Sequence, residues 1–148
     1  MNKNELIAFF ESDLNKLITE MELYKNEENI WRVEKNISNS AGNLTLHLIG
    51  NLHTFIGKEI GKTNYVRNRE LEFSQKNVPR ADLIRSINET IQMINKALNA
   101  LTEEELKKDY PILKFSKIET NEYLLVHLTK HLNYHLGQIN YHRRLVDE

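Results

Sequence analysis

Four long stretches of the chain carry apolar residues at every third or fourth position, the repeat expected of amphipathic helices that share a core. The first, about 4–24, places Leu6, Phe9, Phe10, Leu14, Leu17 and Met21 on one face and has Asn2 or Asn4 available as a cap. The second, about 39–60, follows the cap-rich run Ser38-Asn39-Ser40 and carries Leu44, Leu48, Leu52, Phe55 and Ile56, with Gly57 and Gly61 at its end. The third, about 79–100, starts at Pro79, which suits a first helical turn, and runs through Leu83, Ile87, Ile91, Ile94 and Leu98. The fourth, about 120–145, starts at Thr120. A short extension from Thr102, Thr-Glu-Glu-Glu-Leu-Lys-Lys, adds a further turn.

The connections limit how these helices can be arranged. Residues 61–78 are long for a link within a bundle, so the pattern predicts an all-α four-helix bundle with a crossover between the second and third helices. Residues 107–119 alternate weakly and suggest an extended piece, with Tyr110-Pro111 turning the chain at its start. No repeat, low-complexity tract or linker divides residues 1–148, so one domain is expected.

Composition narrows the chemistry. With 20 basic and 21 acidic residues the net charge is −1, and no basic excess calls for nucleic acid. There is no cysteine, which excludes thiolate ligands and a protein-borne thiol nucleophile and leaves nitrogen and oxygen to hold any metal. The N-terminus lacks a signal-like apolar run and no segment reaches the roughly 20 apolar residues of a membrane span. A cytoplasmic, membrane-free protein is the expectation.

Histidine is where the pattern departs from a plain bundle: four of the six lie within residues 127–142. At about 100° per residue, with His127 at zero, His131 falls near 40°, His142 near 60° and His135 near 80°, beside the arc of Leu125, Leu128, Leu132, Leu136 and Ile139. His47 borders the apolar arc of the second helix in the same way, whereas His53 lies about 240° around and is expected to face outward. Two histidines four apart can share a metal ion, and a third from a neighbouring helix completes a three-nitrogen face with an open position. Spacing allows His47 to pair either with His127 and His131 or with His131 and His135.

The run HLNYHLGQINYHRRL, residues 131–145, resembles the last helix of the DinB/YfiT-like metalloenzyme superfamily, whose motif is His-x3-His-x-Gly-Gln. The run LTLHLIGNL, residues 44–52, resembles that family's second helix, and RNRELEF, residues 67–73, resembles a subgroup of unknown function. The likeness spans essentially the whole chain. It implies a DinB-like bundle, a metal triad of His47, His131 and His135, and Gly137 and Gln138 as the rest of the motif. His127 then becomes a proton carrier or a polar residue at the site mouth, and His142 a surface or interface residue. Gly137 is expected to allow close helix approach, Gln138 to orient a ligand, and Asn51, one turn beyond His47, to be a further supporting group or a solvated amide.

Arg67 and Arg69 either fork onto a substrate carboxylate or phosphate or form ordinary ion pairs along the bundle. Tyr24 and Trp31 are expected in the core or its rim, and Tyr134 and Tyr141 away from the histidines. The family likeness implies a divalent cation, zinc or nickel first, and a low-molecular-weight thiol that attacks a small electrophile or assists its isomerisation. It also implies a homodimer. Two other functions fit the same residues: a hydrolase, although spacing places no glutamate as its base, and a metal-binding or sensor dimer without turnover.

Overall fold

The computed structural model describes residues 1–148 and is all-helical. Its long elements are α1 (Lys3–Leu23), α2 (Ala41–Leu52), α4 (Arg80–Asn99) and α6 (Asn121–Val146). Between them lie a 3-10 turn at Glu27–Trp31 and two short helices, α3 (Arg69–Ser74) and α5 (Glu103–Leu106). The caps follow the sequence. Asn2 and Glu5 form a reciprocal capping box, and Ser40, Thr102 and Thr120 each accept a backbone N–H in the first turn of their helices.

Helices α1 and α2 both pack against α4 and α6, which sets the pairs at opposite corners of the bundle. Side-chain ties fix the directions. Lys3 Nζ donates to Leu101 O at 2.8 Å and Arg80 Nη1 to Tyr24 O at 2.7 Å, so α1 and α4 are antiparallel. Asn133 reaches Asp13 and Asn140 reaches Glu20, so α1 and α6 run the same way. His53 meets Thr90, and Gly57 lies against Met93, so α2 and α4 are parallel. A parallel pair needs a return path, and residues 59–79 supply it as the expected crossover, with α3 built into it. The core is filled by Leu6, Phe10, Leu14 and Leu17 of α1, Leu48 and Leu52 of α2, Ile87 and Leu98 of α4, and Leu128 and Leu132 of α6.

Several expectations change. The second helix does not run evenly to residue 60: after Leu52 it widens into a π-helical segment, His53–Lys58, and Tyr110 Oη donates to the Phe55 carbonyl at 2.7 Å. Such widened turns free backbone groups and recur near functional sites. The extended piece at 107–119 reduces to one antiparallel bridge between Asp109 and Thr120. Tyr24 and Trp31 are buried, as expected.

Trp31 lies flat on the first turn of α2, where a Cβ on Gly42 would sit 2.6 Å from its ring carbons. A rigid indole cannot yield as a flexible side chain does. Gly42→Ala is therefore expected to cost about 1–3 kcal/mol by overpacking, lowering Tm by several degrees in a thermal melt. An unchanged Tm would show that the indole is free to move.

Candidate metal centre

The structure brings His47, His131 and His135 together, with one ring nitrogen of each lying within 4.8 Å of the others. His47 Nε2 is 3.3 Å and His135 Nε2 3.2 Å from His131 Nε2. The far side of two rings is anchored: His47 Nδ1 is 3.1 Å from Glu72 Oε1, and His135 Nδ1 is 2.7 Å from Gln138 Oε1. Each Nδ1 therefore carries the proton and donates it to an oxygen, leaving the Nε2 lone pairs of His47 and His135 aimed at a common point. Two lone pairs cannot both be satisfied by one His131 proton. A cation bound at metal–nitrogen distances of about 2.0–2.1 Å would separate tetrahedral ligands by roughly 3.3 Å, which matches the separations from His131. The residues fit a metal ion, and the cluster could hold one.

Electrostatics favour the neutral imidazole that a metal needs. Burial lowers the His131 pKa to about 4, helped by the charges of His135, His47, His127 and Lys114. Burial also lowers His47, although the hydrogen bond to Glu72 opposes it. His131 lacks the anchor of its two partners: its buried Nδ1 has no hydrogen-bond partner.

Glu72 is the residue that spacing did not reveal. It belongs to α3, which Asn68 caps and Asn43 holds down through its Nδ2, donating to Glu72 O at 2.9 Å and Gln75 O at 2.8 Å. Its carboxylate enters the space that a side chain at residue 50 would occupy, since a Cβ on Gly50 would lie 1.9 Å from Oε2. Glycine one turn after His47 was the available signal. Arg67 then forks onto Glu72, Nε to Oε2 at 2.8 Å and Nη2 to Oε1 at 3.0 Å. The crossover thus folds over the histidines, and of the two roles read for Arg67 it takes the ion pair, its guanidinium held internally by Glu72. Arg69 is exposed.

Carboxylates that orient metal-binding histidines typically contribute about 10- to 100-fold to affinity. Glu72→Gln keeps the shape and removes the charge, so metal affinity is expected to fall within that range while stoichiometry persists. Competition against a chromophoric chelator measures it, and an unchanged affinity would remove Glu72 from the centre.

Other residues move from their expected places. His142 is buried rather than at a surface: Tyr24 Oη lies 2.6 Å from its Nδ1, and its Nε2–H donates to Arg32 O at 2.8 Å. Burial lowers its pKa, so it stays neutral between these partners. His53 is half-buried, hydrogen-bonded to Thr90 and stacked on Tyr65, instead of facing outward. Gly137 has open space where a side chain would be, so no helix approaches it closely. Tyr134 abuts His135 with ring centroids 5.3 Å apart, whereas it was expected away from the histidines. Asn51 is buried rather than solvated, its Oδ1 without a partner. His127 stands one turn before His131, its ring edge-to-face with Phe115 at 4.8 Å. Beside His135, a cavity of about 490 Å³ opens between Leu44, Gln138, Tyr141 and the Asn36–Asn39 segment.

A helical bundle with a three-histidine cluster across its second and last long helices is a DinB/YfiT-like arrangement. The chain matches the family described as protein of unknown function DUF1572 over residues 5–148 and belongs to that family. No curated protein matches it. No helix is long and apolar enough to cross a membrane.

Proposed function

We propose that the protein is a metal-dependent enzyme in which His47, His131 and His135 hold a divalent cation, zinc or nickel, and that it transfers a low-molecular-weight thiol to a small electrophile. The observation that carries this reading is the convergence of three Nε2 atoms, two of them fixed from behind by Glu72 and Gln138. Three nitrogen donors suit borderline cations and leave coordination positions free for a substrate, which separates this centre from a closed structural site. When bound, the ion would lower the pKa of a thiol, the one nucleophile that a chain without cysteine must borrow.

In the transfer, a sulfur–carbon bond forms as the bond to the leaving group breaks, and the leaving group departs with the electron pair. The thiol proton passes to His127 and then to water. His127 is half-buried one turn before His131, and burial and the nearby Lys114 and Lys130 charges lower its pKa, keeping the ring neutral, so that it passes a proton on to water rather than holding it. Transfer is favoured over hydrolysis because the carboxylate at the centre, Glu72, is committed to Arg67 and His47 and is not free as a base for water.

The test uses untagged protein: elemental analysis as purified and after reconstitution with zinc or nickel, then a panel of small thiols against a chlorodinitrobenzene. One equivalent of metal and metal-dependent chloride release are expected. Full metal loading without turnover of any thiol would overturn the transfer reading, and failure to bind either metal would overturn the centre itself.

A further inference from the structure

Two cations, Lys114 and Arg67, share an aromatic patch beside the histidine centre, and only Arg67 is paired with a carboxylate. Lys114, from the segment between α5 and α6, lies with Nζ 4.3 Å from the centroid of the Phe55 ring and 5.4 Å from that of Phe115. Phe55 is also the floor under Arg67, whose guanidinium carbon is 5.9 Å from the ring centroid and whose Nη2 reaches within 3.4 Å of His47 Nδ1. Phe115 packs edge-to-face on His127, one turn before His131. The two phenyl rings thus connect Lys114 to both sides of the centre, through Arg67 to His47 and through His127 toward His131.

Of these cations Arg67 alone has a carboxylate, Glu72; neither Lys114 nor Arg69 forms an ion pair. Lys114 is half-buried, and burial followed by the charges of Arg67 and Arg69 pushes its pKa down. A half-buried ammonium beside apolar rings, with no carboxylate of its own, is more costly than one in open water. A bound anion removes that cost, and the rings offer a flat apolar surface to the rest of the molecule.

We infer that this patch is a subsite for the acid group of a small anionic molecule, a carboxylate or a phosphate, with Lys114 as its charge. That the anion is the substrate of the neighbouring histidines rests on the function proposed above; the subsite itself does not. The site differs from the substrate fork that the sequence offered as one reading of Arg67, because Arg67 is paired with Glu72 and the free charge is a lysine from a different loop.

Inorganic phosphate and succinate serve as probes, each titrated calorimetrically at low salt into metal-free and zinc-loaded protein. The parent is expected to bind one anion in both forms. Lys114→Gln should weaken binding roughly tenfold, the effect of losing one charge-assisted contact at a partly solvated site, while Lys114→Arg keeps it within about threefold. Lys117→Gln, at a side chain 78% exposed, should change nothing. The preferred probe tells phosphate from carboxylate chemistry. Absence of binding to the metal-free parent, or equal affinity in Lys114→Gln of unchanged circular dichroism, overturns the subsite. Binding to zinc-loaded protein alone that survives Lys114→Gln means that the ion holds the anion, and also overturns it. Should neither zinc nor nickel bind, the metal reading falls while the titrations of metal-free protein still decide the subsite.

Discussion

Alanine at position 131 is expected to abolish stoichiometric metal uptake and leave the helices intact. His131 is the middle member of the cluster, with its Nε2 3.3 Å and 3.2 Å from those of His47 and His135. Without it the remaining pair, donated by different helices, offers two ligands where three converged. Losing an orienting group alone weakens such sites about 10- to 100-fold, so losing the central ligand should exceed a hundredfold. The fold has little reason to suffer, since residue 131 is only half-buried and alanine is the best helix former. The measurement is metal content and chelator competition on untagged protein, with helicity followed by circular dichroism. His127→Ala is the companion variant and should bind one equivalent like the parent. Parent-like affinity in His131→Ala, or loss of metal in His127→Ala alone, would assign the ligands differently.

The second large effect concerns stability. Arg67→Met should destabilise the fold by about 3–5 kcal/mol, because removing one partner strands a buried charge. The Glu72 side chain is 7% exposed and Arg67 17%, so water does little to compensate either. His47 is the remaining neighbour of the carboxylate, and its pKa is already lowered by burial. The double variant Arg67→Met with Glu72→Met separates charge from shape. Exchanging a whole buried ion pair for apolar groups of similar volume is often neutral, so the double variant should recover most of the lost stability in denaturant melts. It should nevertheless bind metal at least as weakly as Glu72→Gln, because no oxygen is left at position 72 to anchor His47. A single variant as stable as the parent would mean that the carboxylate finds water or a proton without cost.

The sequence showed the parts of the centre that obey helical arithmetic. His131 and His135 are four apart beside a leucine stripe, and His47 borders the apolar arc of its own helix, so both faces were readable before any coordinates. The crossover was readable from the length of residues 61–78, and Ser40, Thr102 and Thr120 cap their helices as their chemistry suggests. Glu72 was not readable, because it reaches His47 from 25 residues away through a loop whose path no periodicity describes. His142 was read as a surface or interface residue, but near the end of α6 its face meets Tyr24 and Arg32, which bury it with hydrogen bonds. Gly137 was read as a packing glycine, yet α6 turns it toward open space, and the close approaches belong to Gly42 and Gly50.

The ligands come from opposite ends of the chain, and that separation sets an order of events during synthesis. His47 and Glu72 leave the ribosome early, whereas His131 and His135 follow some 84 residues after His47, a delay of roughly 4–17 seconds at 5–20 residues per second. Until α6 emerges and docks between α1 and α2, the nascent chain exposes only isolated imidazoles with little hold on a cation. A metal ion held by the three imidazoles would thereby be acquired by the folded bundle, and the ions available at that moment, rather than during elongation, would determine which one is taken up.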